Sequence, residues 1–221
     1  MKRYIASDFH NGNEVADYDR VMAFLDLVDD DADEFLILGD WEELLWSNMN
    51  ILTTVKPYSY VTEKVKAIAR KKTTRVIVGN HDWPLDFFAS TIAPIKAIAP
   101  FNENGVYFCH GHDFDWLSFI TGTLVDPIYW KRKFSIISLP LWLATKAWEV
   151  AEDNYHWGIL LIHERVRDYA AKNGYHTVIL GHTHFPVVEV RGGIQIYNVG
   201  DMLDSYSHLV QEDGRIELKY F

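Results

Sequence analysis

At 221 residues with 48% hydrophobic content, the chain can fill one sizeable core, and a single domain spanning 1–221 is the economical count. A formal net charge of −10 argues against a non-specific nucleic-acid surface, so nucleic acid is not an expected partner. Cys109 is the single cysteine, which excludes an intramolecular disulfide framework and, within an apolar run, reads as a small buried hydrophobe.

In chain order, the apolar run Tyr4 to Ala6 predicts a first strand so near Met1 that no signal peptide and a cytoplasmic location are expected. Ser7-Asp8-Phe9-His10 follows it directly. Tyr18 to Val28 carries Val21, Phe24, Leu25 and Val28 at helical spacing. The strand-like run Phe35 to Leu38 leads into Gly39-Asp40-Trp41, and Tyr58 to Lys71 repeats the helical pattern with Val61, Val65, Ile68 and Ala69. Two further runs end the same way: Val76 to Val78 in Gly79-Asn80-His81-Asp82, and Val106 to Cys109 in His110-Gly111-His112-Asp113.

The stretch from about 114 to 155 holds Trp116, Trp130, Trp142 and Trp148, and its segment Phe134 to Thr145 carries no charge. That segment is shorter than the roughly 20 residues of a membrane span, and Pro140 interrupts it, so no transmembrane segment is expected. A helical cap insertion is predicted instead, beside the positive Lys131-Arg132-Lys133. Two readings stay open: a cap that only packs on the body, or a wall for an apolar substrate portion, with Trp142 and Leu143 as contacts and peripheral membrane contact as an option. Asn154 is placed to cap a helix running to about Lys172, with Gly174 as its stop. Val178 to Leu180 then runs into Gly181-His182-Thr183-His184. The remainder reads as strands at Val187 to Arg191, Ile194 to Asn198, Ser207 to Gln211 and Ile216 to Tyr220, turned by Gly192-Gly193 and Asp213-Gly214. The architecture suggested is α/β, two mixed sheets flanked by helices.

Each of the five polar islands taken singly is ordinary turn chemistry, since Gly, Asn and Asp favour tight turns. Together they place Asp8, His10, Asp40, Asn80, His110, His182 and His184 at the carboxyl ends of strands, where open α/β sheets build their sites. Mixed nitrogen and oxygen donors suit divalent transition metals better than Ca or Mg. Seven donors exceed one ion and suit two sharing a carboxylate; such a pair can hold a bridging hydroxide and clamp the attacking and leaving oxygens of a phosphoryl group.

In the order Asp-x-His, Gly-Asp, Gly-Asn-His-Asp, His and Gly-His-x-His over residues 7 to 184, the chain resembles the calcineurin-like metallophosphoesterases. The resemblance implies a layered αββα fold and a metal-bridged hydroxide attacking a phosphate ester or pyrophosphate. It assigns Asp8, His10, Asp40 and His184 to one ion and Asp40, Asn80, His110 and His182 to the other, with Asp40 as bridge. The implied cofactors are two divalent transition-metal ions, Mn first, with Fe, Zn, Co or Ni as alternatives. His81 takes the place of the acid that serves the leaving oxygen, Asp82 is expected to orient it, and His112 is a candidate beside the metals or the substrate.

The segments Leu139 to Leu143, Glu164 to Arg167, Gly181 to Pro186 and Asn198 to Asp201, with Ser205 to Val210, are similar to the branch containing UDP-2,3-diacylglucosamine hydrolases. His81 and Phe185 depart from that branch, which has Arg at both places. The implied partner is therefore a phosphorylated small molecule or a lipid-linked substrate resembling UDP-2,3-diacylglucosamine; a small soluble nucleotide is the alternative, and a non-catalytic metal-binding scaffold the alternative of another class.

Overall fold

The computed structural model describes residues 1–44, 49–82, 92–115 and 155–221. Sheet 1 has six strands in the order β11-β10-β1-β2-β3-β4, with β1 at Lys2–Ala6, β2 at Glu34–Ile37, β3 at Thr73–Ile77, β4 at Lys96–Ile98, β10 at Ser207–Glu212 and β11 at Arg215–Tyr220. Sheet 2 has five in the order β5-β6-β7-β9-β8, with β5 at Phe101–Glu103, β6 at Val106–Phe108, β7 at Thr177–Leu180, β8 at Val187–Arg191 and β9 at Ile194–Asn198. Four α-helices are present among the described residues, α1 at Tyr18–Asp31, α2 at Met49–Thr54, α3 at Tyr58–Ala69 and α4 at Tyr155–Asn173, with a short 3-10 turn at His112–Phe114.

The period-2 alternation of strands explains the layering. Along β1 and β2, Tyr4, Ala6, Phe35 and Ile37 face the helix side with Phe24, Leu25, Val61 and Val65, while Ile5, Leu36 and Leu38 point the other way. On sheet 2, Phe108 and Ile179 meet that second set, whereas Tyr107, Cys109, Val178 and Leu180 lie against Ile162, Val166 and Ala170 of α4. The order is thus helices, sheet 1, sheet 2, helix, an α/β fold of two mixed sheets flanked by helices. Because both faces of the central strands are covered, their sequences are nearly continuous apolar runs.

Strands β1, β2 and β3 are mutually parallel, with Ile5 opposite Leu36 and Leu36 opposite Arg75, and β6 and β7 are parallel in the other sheet. All five therefore deliver their carboxyl ends to one edge of the sandwich. Asp17 caps α1 by accepting from the Arg20 N–H at 3.1 Å. Gly174, at φ 74°, closes α4 while the Tyr175 and Gly174 N–H groups return to the Ala170 and Ala171 carbonyls. The expected cap over 114–155 lies outside the described residues apart from its ends, as do Trp142, Leu143 and the Asn154 cap. No helix among the described residues is long and apolar enough to cross a membrane.

Candidate metal centre

The loops after β1, β2, β3, β6 and β7 converge. Asp8 is fully buried; its Oδ1 lies 3.2 Å from His184 Nε2, and its Oδ2 accepts the His182 backbone N–H at 2.9 Å. His10 Nε2 is 3.2 Å from His184 Nε2 and 3.8 Å from both Asp8 Oδ1 and Asp40 Oδ2. On the other side, Asp40 Oδ2 is 3.2 Å and Asn80 Oδ1 3.1 Å from His110 Nε2. The rings of His110 and His182 are 5.1 Å apart. The structure thus brings together all seven residues singled out as ligands, in two adjoining groups that meet at Asp40.

Five of the seven, Asp8, His10, Asp40, His182 and His184, have φ between 43° and 68°. Left-handed backbone at non-glycine residues is uncommon and costs of order 1–3 kcal/mol each, a strain that clusters at functional sites. Glycine would relieve it but would remove the donor atom. Cross-loop hydrogen bonds hold the shape: the Asp8 and His10 N–H groups donate to the Gly39 and Asp40 carbonyls, and the Gly181 N–H to the His110 carbonyl.

Three imidazoles have one nitrogen tied from outside. His10 Nδ1–H donates to Glu43 Oε2 at 2.8 Å, His110 Nδ1–H to the Leu38 carbonyl at 2.6 Å, and His182 Nε2–H to Asp115 Oδ2 at 3.0 Å. Each bond fixes a tautomer and leaves the opposite nitrogen as the ligand atom, the arrangement that surrounds metal-bound histidines. Glu43 and Asp115 were not singled out in the sequence. The available signal was position: Glu43 lies three residues past Asp40, and Asp115 ends the run His110 to Asp115.

A divalent pair fits these residues. Asp8 Oδ1 is buried without a hydrogen-bond partner, beside the Nε2 atoms of His10 and His184. Burial opposes ionisation of Asp8 and Asp40, yet the imidazoles around them hold both carboxyls below the usual range. Burial likewise works against charging His110, but Asp40 draws its pKa up to about 9. The buried carboxylates demand cations, and divalent ions meet that demand more fully than protons on the same imidazoles.

His81 Nδ1–H donates to Glu43 Oε1 at 2.8 Å, and its Nε2 lies 4.0 Å from Asp40 Oδ2, so the free nitrogen faces the cluster. Asp82 does not orient it. That carboxylate is fully buried and accepts three backbone N–H groups, from Gly79, Trp41 and Glu42, pinning the loop after β3 to the loop after β2. Burial, and then the Asp40 charge, push Asp82 up to about 7. The expectation for Asp82 is corrected because the turn folds its side chain back under the loop, which leaves Glu43 as the partner of His81. His112 lies beside the cluster, its ring 5.3 Å from His110 and 6.4 Å from His182, with a buried Nδ1 that has no hydrogen-bond partner.

A family model described as calcineurin-like phosphoesterase matches residues 1–186. No curated protein matches the sequence significantly. Among solved structures, the chain is similar to an archaeal phosphodiesterase at 14% identity and a TM-score of 0.54, with all of both chains covered. It is also similar to Yfce, a phosphoesterase from E. coli, at 20% identity and a TM-score of 0.49 over 96% of this chain and 89% of that one. Vps29 from Entamoeba histolytica, in complex with zinc, aligns at 15% identity and a TM-score of 0.46 over 100% of this chain and 98% of that one. The archaeal likeness speaks to the fold alone.

Proposed function

Because the chain belongs to the calcineurin-like phosphoesterase family and is a metal-dependent phosphoesterase, we propose that it hydrolyses its substrate at a dinuclear centre held by Asp8, His10, Asp40 and His184 on one side and by Asp40, Asn80, His110 and His182 on the other. The observation that carries this reading is the meeting of five strand-end loops at Asp40, which His10, His81 and His110 approach directly and which shares one candidate metal-ligand group with His182. Bound divalent ions supply Lewis-acid polarisation of a phosphoryl oxygen and neutralise its charge. The chain supplies the rest. His81 is aimed to pass a proton from Nε2 to the leaving oxygen, and Glu43, engaged by Nδ1–H, fixes the ring in that orientation. Mn is the ion we propose to test first.

Replacing Asp40 with Ala tests the reading. The wild type is expected to take up two ions per chain in a calorimetric titration with Mn and to hydrolyse an aryl phosphodiester or monoester; Asp40→Ala is expected to lose the ion pair and the activity together. Near-normal turnover in that variant excludes the two-metal scheme.

For the substrate, we propose a lipid-linked nucleotide-sugar diphosphate of the UDP-2,3-diacylglucosamine type, supported by the Trp-rich stretch from about 114 to 155 and its uncharged segment Phe134 to Thr145. Apolar contact is worth roughly 25 cal/mol per Å², so a cap of this composition can add several kcal/mol of tail binding that a small aryl phosphate never feels. Changing Trp142 and Leu143 together to Ser is expected to weaken hydrolysis of the acylated substrate and spare the aryl phosphate. Equal losses on both substrates identify a purely structural cap. The absence of any acylated substrate favours the second reading, a small soluble nucleotide, which His81 and Phe185 support as departures from the lipid branch.

A further inference from the structure

His163 lies on α4, 1% exposed, between Ile162 and Val166 in a helix face that otherwise packs apolar side chains on sheet 2. Both of its ring nitrogens are used. Nδ1–H donates to Glu189 Oε1 of β8 at 2.6 Å, and Nε2 accepts from Asn198 Nδ2 of β9 at 3.2 Å. Burial holds the imidazole toward its neutral form, in which Nε2 is a bare acceptor. Glu189 Oε1 is itself held by Arg191 Nε at 2.6 Å, and Arg191 reaches Glu164 at 2.9 Å, so the outer end of the chain of bonds is anchored.

Its inner end is the loop after β7. Asn198 is fully buried; its Nδ2 donates to Thr183 Oγ1 at 2.6 Å and lies 3.3 Å from the Gly181 carbonyl, while its Oδ1 accepts the Gly200 N–H at 3.2 Å. Thr183 and Gly181 flank His182, and His184 follows. Both histidines have left-handed φ, 68° and 54°, a conformation that persists only where the surroundings over-determine it. From the opposite side the loop is held by Asp8 Oδ2 on the His182 N–H.

We propose that His163 is a positioning residue for the metal centre: through Asn198 it fixes the loop Gly181 to His184 and thereby the aim of His182 and His184. This rests on the dinuclear reading above for its functional consequence, but the geometric part stands on the hydrogen bonds alone. Outer partners that orient ligands change metal affinity by about 10–100-fold. An apolar residue of similar size would suit the helix face as packing, yet it would remove the one acceptor that holds Asn198 from outside the loop, leaving the amide to Thr183 Oγ1 and the Gly181 carbonyl alone.

The experiment compares His163→Leu, His163→Gln and Thr183→Val with the wild type. Gln offers an oxygen to Asn198 and an N–H to Glu189, so it is expected to restore what Leu removes; Thr183→Val removes the nearer of the two loop acceptors of Asn198 and stands in if His163→Leu fails to fold. In the leucine and valine variants, Mn titration is expected to show affinity lower by about 10-fold, with kcat at saturating Mn within a few-fold of wild type. In the metal-free protein, ¹⁵N-histidine spectra are expected to show His182 and His184 shifted while His176, which bonds Asn104 and Thr177, stays in place. Unchanged Mn affinity and unchanged His182 and His184 signals, with only a lowered melting temperature, overturn the proposal and leave His163 a core residue. A wild type that binds none of Mn, Fe, Zn, Co and Ni, with the two signals still displaced in the variants, removes the dinuclear reading and leaves the positioning role standing.

Discussion

Glu43 serves two imidazoles at once, His10 on one side and His81 on the other, and the two rings stand edge to face at 4.6 Å. One carboxylate therefore sets the tautomer of a proposed ligand and of the proposed proton donor. His81→Ala removes the donor without touching a ligand, so the rate is expected to fall by about 10²–10⁴-fold with the metal content unchanged. Steady-state kinetics together with metal analysis of the same sample checks this; the deficit is expected to shrink for substrates whose leaving group needs no proton. Loss of metal along with rate would make His81 a ligand. At this scale the sequence was informative about residue type and silent about direction. His81 and Asp82 are neighbours in one island, yet one faces the cluster and the other is folded beneath the loop, and spacing alone does not say which. Asp115 and His163 were harder still, because their partners His182 and Asn198 lie 67 and 35 residues away along the chain.

The functional elements are the loops, and their tightness is set by glycines that admit no side chain. A Cβ on Gly181 would overlap Ser7 Oγ and lie 2.6 Å from Asp8 Oδ2; one on Gly79 would lie 2.5 Å from the Asp40 backbone nitrogen. Gly181→Ala is expected to displace Asp8, weaken Mn binding and cost about 1–3 kcal/mol of stability, as overpacking does. Calorimetric titration and chemical denaturation measure the two effects. The strands before these loops were legible as apolar runs because parallel strands buried on both faces have little else in them. The helices α1 and α3 were legible through their buried stripes, Val21, Phe24, Leu25 and Val28 in the first and Val61, Val65 and Ile68 in the second. Strands β4 and β5, three residues each, and the six-residue α2 were not, since so short a segment shows neither a period of 2 nor one of 3.6.

For the molecule as a whole, the end of the sandwich away from the metal loops is held by an ionic clasp. Arg3 on β1, 2% exposed, reaches Glu34 on β2 at 2.7 Å and Glu103 on β5 at 2.8 Å, thereby joining the two sheets. Arg75 on β3 also bonds Glu34 at 2.8 Å and lies over the Phe101 ring of the second sheet. Glu34→Ala strips the buried Arg3 guanidinium of one of its two carboxylates and Arg75 of its partner, a loss of about 1.5–3 kcal/mol for charge-assisted bonds. Denaturant unfolding is expected to register that loss, while turnover per folded molecule, governed at the opposite end of the strands, stays near wild type. A loss of turnover in fully folded protein would mean that the two ends communicate.

The donor atoms are divided between the sheets: Asp8, His10, Asp40 and Asn80 follow strands of the first, His110, His182 and His184 strands of the second. Ions seated among them would act as rivets between two halves that side-chain packing, the clasp and bonds such as His110 to the Leu38 carbonyl already join. Loading and folding would then become one thermodynamic act, and whatever removed the ions would withdraw part of the force that keeps the halves closed. Chelation would therefore be felt as fragility across the protein as well as silence at its centre, and metal supply would set how long each molecule lasts as well as how fast it works.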